Sequence, residues 1–161
     1  MSDFNRLSEA VFVARYRGVV EHSPWVVARA AARRPFPDVA EAIVAVLADA
    51  TPEEQLAVIR AHPELAGRAA IAGTLTEESR SEQASAGLDR MTAEEFERFH
   101  ALNAAYRDRF GFPFVICVRR TDRAGILTAM AERLTNDPAT EVATALDEIG
   151  HIVRLRLETL P

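Results

Sequence analysis

His62, in "AHPELAG" (61–67), is the side chain best placed to do chemistry. A residue before proline avoids the α region, so its helix ends beneath it and the ring need not be buried in a helix interface. Pro63 fixes the chain direction and Gly67 lets the backbone turn. A histidine on such a corner can accept or donate a proton near neutral pH. In "SRSEQ" (79–83), Ser79, Glu82 and Gln83 stand at i, i+3 and i+4 and share one helix face. That face is either a polar recognition stripe or a solvated surface, and Arg80 and Ser81 point elsewhere. "RFGFPFVIC" (109–117) is either a core crossing or a wall whose free backbone N–H and C=O groups bind a flat, amide-rich ligand. In "RLRLETL", Arg154 and Arg156 are two apart and face different ways, so one can reach an anion while the other stays in water; the alternative is two surface arginines.

The remaining histidines carry less. His22 precedes a helix start and reads as a helix-entry residue; His100 and His151 lie within amphipathic helices and read as structural or surface groups. There is no His-Glu-x-x-His, no Cys-x-x-Cys and no glycine-rich phosphate loop. A metal site from His22, His62 and scattered carboxylates has no supporting spacing, and no metal is expected. All 19 basic residues are arginine, which excludes Schiff-base lysine chemistry and a P-loop lysine. The net charge of −5, without a basic patch, argues against nucleic acid as a partner. The single Cys117 excludes an intrachain disulfide and fits a reducing compartment. No signal-peptide layout and no apolar run of roughly 20 residues is present, so a soluble cytoplasmic protein without membrane contact is expected.

These groups need elements to hold them. A chain of 161 residues suits one domain, spanning 1–161, with a real core. Composition and cap signals predict an all-α fold of seven or eight helices. Helices are expected from Ser23 (N-cap) with Pro24 at the first position, from Asp38, and from Thr51 with Pro52. Further ones run from Thr76 to near Gly87, from a Thr92–Glu95 capping box to Gly111, and over about 122–134 and 139–159. Val39, Ile43, Val46 and Leu47 form one apolar face; Val142, Leu146, Ile149, Val153 and Leu157 form another. "FPFVICV" (112–118) is strand-like but has no partner strand, and reads as a buried extended segment.

"VVEHSPWV", "AHPELAG", "SxxEQxxAGL" (79–88), "LNxxYxxRFGFPFVICVR" (102–119) and the terminal "LRL" occur in an order that resembles the 2-oxo-4-hydroxy-4-carboxy-5-ureidoimidazoline (OHCU) decarboxylases. The resemblance spans nearly the whole chain. It implies an all-α, cofactor-free homodimer that turns OHCU into (S)-allantoin and CO2 in urate breakdown. It implies His62 and Glu82 as catalytic residues. Pro63, Ser79, Gln83, the segment through Phe112, Phe114 and Ile116, and Arg156 are implied to bind substrate, with Arg154 as the alternative to Arg156. Glu82 is expected to orient the substrate hydroxyl or His62, and to raise the histidine pKa. Glu64 is expected to cap or brace the corner. A functional coupling to hydroxyisourate hydrolase follows from the instability of the substrate. Two other readings stay open: a non-catalytic helical binding module, and a decarboxylase of a related ureido acid.

Overall fold

Helix starts are written as cap residues along the chain. Asp38, Thr51, Thr76, Thr92, Asp122 and Asp137 each accept a hydrogen bond from a backbone N–H three residues on, and Thr51–Glu54 and Thr92–Glu95 close reciprocal capping boxes. The computed structural model describes residues 3–67 and 73–160. Among these residues the α-helices are α1 (Glu9–Tyr16), α2 (Pro24–Ala31), α3 (Val39–Asp49), α4 (Pro52–Arg60), α5 (Glu77–Ser85), α6 (Ala93–Phe110), α7 (Arg123–Arg133) and α8 (Pro138–Glu158), with no strand. Among the described residues, no helix is long and apolar enough to cross a membrane.

The all-α expectation therefore holds, with two local differences. α1 was not singled out from the sequence, although Ser8 caps it by accepting from Val11 N–H. Ser23 stands at the N-cap of α2 but makes no capping bond; Pro24 starts the helix, and the serine is buried.

The long helix α8 is the organising element. Ile149, Ile152 and Val153 are buried on it, and α3 and α4 pack against it. On α3 the buried residues are Val39, Ile43, Val46 and Leu47, the face expected from their spacing. α6 ends at Gly111, whose φ of 77° is the left-handed cap an L residue resists. The chain then crosses the domain in extended form. Phe112, Phe114, Val115, Cys117 and Val118 are all buried.

A helix cannot satisfy the backbone of that crossing, so side chains do. Arg133 donates to Val115 O at 2.8 Å, and Cys117 N–H donates to Glu148 Oε1 at 3.1 Å. Arg133 is itself paired with the fully buried Glu141 at 2.7 Å and lies 4.3 Å over the Phe114 ring. Tyr106 and Asn136 also donate to Glu141. The extended segment is thus clamped from behind by a buried charge network.

Candidate active site

α4 ends at Arg60, and the turn that follows carries His62 into the interior, 7% exposed. The end of the helix at this point does not require the ring to be buried, yet the fold buries it. His62 Nδ1 lies 2.9 Å from Val58 O. A carbonyl only accepts, so Nδ1 carries the proton and Nε2 keeps its lone pair. Nε2 is buried and has no partner among the described residues. Burial pushes the ring pKa down to about 4; the Val58 bond acts in the opposite sense, and Arg156 lowers it further. The expected rise from Glu82 is not found, because Glu82 is committed elsewhere.

The corner beyond His62 is held from two helices. Gln83 on α5 accepts from Ala66 N–H at 3.0 Å, and Asn103 on α6 donates to Leu65 O at 2.9 Å. Ala66 has φ 52°, a strained conformation that these bonds over-determine. Glu64 pairs with Arg107 and so braces the corner, as expected.

α5 places Ser79, Glu82 and Gln83 inward and leaves Arg80 and Ser81 exposed. Opposite stands Arg156 of α8, 4% exposed. It grips Glu82 through Nε and Nη2, both at 2.8 Å. Its Nη1 donates to Gly18 O at 3.0 Å and Glu21 Oε1 at 3.2 Å, and Nη2 reaches Ser79 Oγ at 3.3 Å. Ser79 Oγ in turn donates to Glu21 Oε2 at 2.5 Å, and Thr76 Oγ1 donates to the same carboxylate. Burial would raise the Glu21 pKa, but the Ser79 hydrogen bond and the Arg156 charge hold it below the usual carboxylate range. Arg156 stays above its ordinary value: the carboxylates outweigh its burial.

His62, Pro63, Ser79, Glu82, Gln83, Phe114, Ile116 and Arg156 border one small cavity. Leu65, Ile152 and Leu155 add apolar wall. The cavity thus sets a histidine with one unpartnered buried nitrogen, a carboxylate–guanidinium pair and an extended backbone around one small, mostly apolar space. Such a site can bind a flat polar molecule and move a proton on it. Among the described residues, no group of three or more His, Cys, Asp or Glu side chains could hold a metal.

A family model for OHCU decarboxylase matches residues 5–158. The chain belongs to the OHCU decarboxylase family. It is 42% identical to the 2-oxo-4-hydroxy-4-carboxy-5-ureidoimidazoline decarboxylase of Haloferax volcanii, over 98% of this chain and 93% of that one. It is 40% identical to the mouse (Mus musculus) decarboxylase of the same name, over 99% and 92%. Among solved structures, an (S)-allantoin synthase matches with a TM-score of 0.77 at 26% identity. That match covers 98% of this chain and 52% of the synthase chain, so this chain spans about half its length. An OHCU decarboxylase structure determined with (S)-allantoin shares the fold, with a TM-score of 0.72 at 23% identity, covering 88% of this chain and 94% of that one.

In this member of the OHCU decarboxylase family, Arg156 and not Arg154 reaches the cavity; Arg154 pairs with Glu41 on the surface at 3.0 Å. Phe112 does not border the cavity. Its ring packs in the aromatic core, 5.8 Å from Tyr106 and from Phe110, so only the later part of the segment faces the site. Glu82 touches Arg156 and not His62, which corrects its expected orienting role toward the histidine. Glu21 was missed by reasoning from sequence. A carboxylate within "VVEHSPW" has no spacing relation to "SRSEQ", and only the fold brings them together.

Proposed function

We propose that this chain decarboxylates OHCU to (S)-allantoin and CO2 in urate breakdown, with His62 as the proton-handling group. The observation that carries the reading is His62 itself: a neutral ring on a residue that borders the cavity, its tautomer fixed by Val58 O, with a buried Nε2 that has no partner among the described residues. A binding module would have no use for such a group.

The substrate holds a hydroxyl and a carboxylate on C4 and a ureido group on C5. When the C4–carboxylate bond breaks, its electron pair forms a C4=C5 bond. The former C5=N1 pair moves to N1, which takes the one proton consumed overall. The C4 enol then loses its hydroxyl proton while C5 gains one, giving the C4 carbonyl of allantoin. The ring is its own electron sink, so the reaction needs neither a cofactor nor a metal. His62 Nε2 accepts the hydroxyl proton and returns a proton to one face of C5. Glu82, held in place by Arg156, and the Phe114–Val118 backbone hold the ring so that the breaking bond overlaps its π system. Phe114, Ile116, Pro63 and Gln83 complete the walls, and Ser79 keeps Glu21 and Arg156 in register.

In this reading residues 1–161 form one domain that works in the cytoplasm as a homodimer. It is coupled to hydroxyisourate hydrolase, whose unstable product it consumes. The test is to generate OHCU fresh from urate and follow its absorbance and CO2 release. The expected result is loss of OHCU far faster than its spontaneous decay, matched by CO2. OHCU decay unchanged by the protein would refute the reading.

A further inference from the structure

We propose that Arg119, at the mouth of the cavity, binds the substrate carboxylate; this rests on the reading above and adds a residue to it. The first observation is that Arg156 is fully engaged. It makes five hydrogen bonds to Glu82, Glu21, Ser79 and Gly18, and a guanidinium has five N–H groups. To bind a substrate carboxylate, it would have to release a buried partner.

The second observation is charge. Arg156 stands between two carboxylates, Glu21 and Glu82, in ion pairs with both, while His62 is neutral. The inner cluster therefore carries a surplus negative charge, with Glu21 held ionised. An anionic substrate cannot settle against it without a further cation. Among the described residues bordering the cavity, the other cation is Arg119. It follows the extended segment in the short turn Val118–Arg120, it is exposed, and its guanidinium makes no ion pair or hydrogen bond with the described residues. It also borders the adjoining surface groove, which reaches Glu82 and Arg156 from outside. Arg119 thus spans the route from solvent to the site.

Its exposure suits the chemistry. In decarboxylation, charge leaves the carboxylate and moves to the ring. A buried cation locked on the carboxylate would favour the ground state over the transition state. A solvated arginine at the mouth captures the anion, points its carboxylate outward from the apolar wall, and opposes the charge shift less. The adjacent Arg120 is also exposed but borders no part of the cavity, which makes it the control.

The test compares wild type, Arg119→Ala, Arg119→Lys and Arg120→Ala. Calorimetry measures binding of allantoate, a stable ureido carboxylate, and of (S)-allantoin, which has no carboxylate; steady-state kinetics follow OHCU. Arg119→Ala is expected to weaken allantoate binding and raise the KM for OHCU about tenfold or more, a charge-assisted bond's worth. It should leave (S)-allantoin binding and kcat within about twofold, and Arg119→Lys should recover part of the loss. Arg120→Ala should match wild type. Allantoate affinity equal in wild type and Arg119→Ala overturns the proposal, whether or not the protein turns OHCU over. A selective loss of allantoate binding in a protein that leaves OHCU untouched would uphold the carboxylate site and refute the decarboxylase reading instead.

Discussion

His62 combines a fixed tautomer with a depressed pKa, and both follow from where its helix stops. Proline at 63 ends α4, the turn carries the ring inward, and Val58 O takes the Nδ1 proton. The ring is therefore expected to stay neutral through the range in which an exposed histidine titrates. NMR of the His62 ring signals between pH 8 and about 5.5 should show no titration step; a midpoint at or above the ordinary 6.5 would contradict the burial argument. The chemistry of His62 was legible from its proline neighbour, and the shared face of Ser79, Glu82 and Gln83 from their spacing. The direction of the histidine shift was not, because it depends on what covers the ring. Nor was the saturation of Arg156, whose partners lie as far as 138 residues away in the chain.

The elements divide into those that carry the site and those that hold the carriers. The segment after Gly111 has no ladder of its own, and Arg133 bonded to Glu141 substitutes for one. Replacing Glu141 by Gln should leave a buried guanidinium without its counter-charge, with Nη2 already unpartnered among the described residues. A loss of about 3–5 kcal/mol is expected for breaking such a pair. Urea denaturation of the variant measures it, and a loss under about 1 kcal/mol would mean that the network does not hold the segment. Helix boundaries were readable where a cap makes a local bond, as at Thr92–Glu95, and where Gly111 takes a left-handed turn. α1 starts on Ser8 alone, with neither the first-position proline of α2 nor a capping box, and it leaves Val11 exposed. That 112–118 would be extended was visible in its composition. That Phe112 would turn into the aromatic core while Phe114 meets the cavity was not, since the crossing follows no regular period.

At the scale of the molecule, buried titratable groups tie stability to pH. His62 is neutral when folded, with its pKa down at about 4, and it charges more readily when unfolded, near 6.5. The unfolded chain thus binds more protons between these values, and stability falls as pH drops through that window. Glu21, held below its ordinary 4.5 by Ser79 and Arg156 against its burial, adds a loss that begins at about that pH and continues below it. Melting temperatures at pH 7.5, 6 and 5 should fall in that order, and His62→Asn should flatten the slope. A melting temperature constant over this range would show that His62 is not buried neutral in solution.

The most direct test of the proposed chemistry is the handedness of the product. Circular dichroism is recorded while freshly generated OHCU is consumed by wild type and by His62→Asn, each first shown to be folded. Wild type is expected to give a growing (S)-allantoin signal at once. The variant should be slower by a factor of about 10²–10⁴, the range for loss of a general acid–base group, and its allantoin should arise largely by the optically silent spontaneous route. An (S)-allantoin signal from His62→Asn at near wild-type rate would contradict His62 as the group that moves the proton.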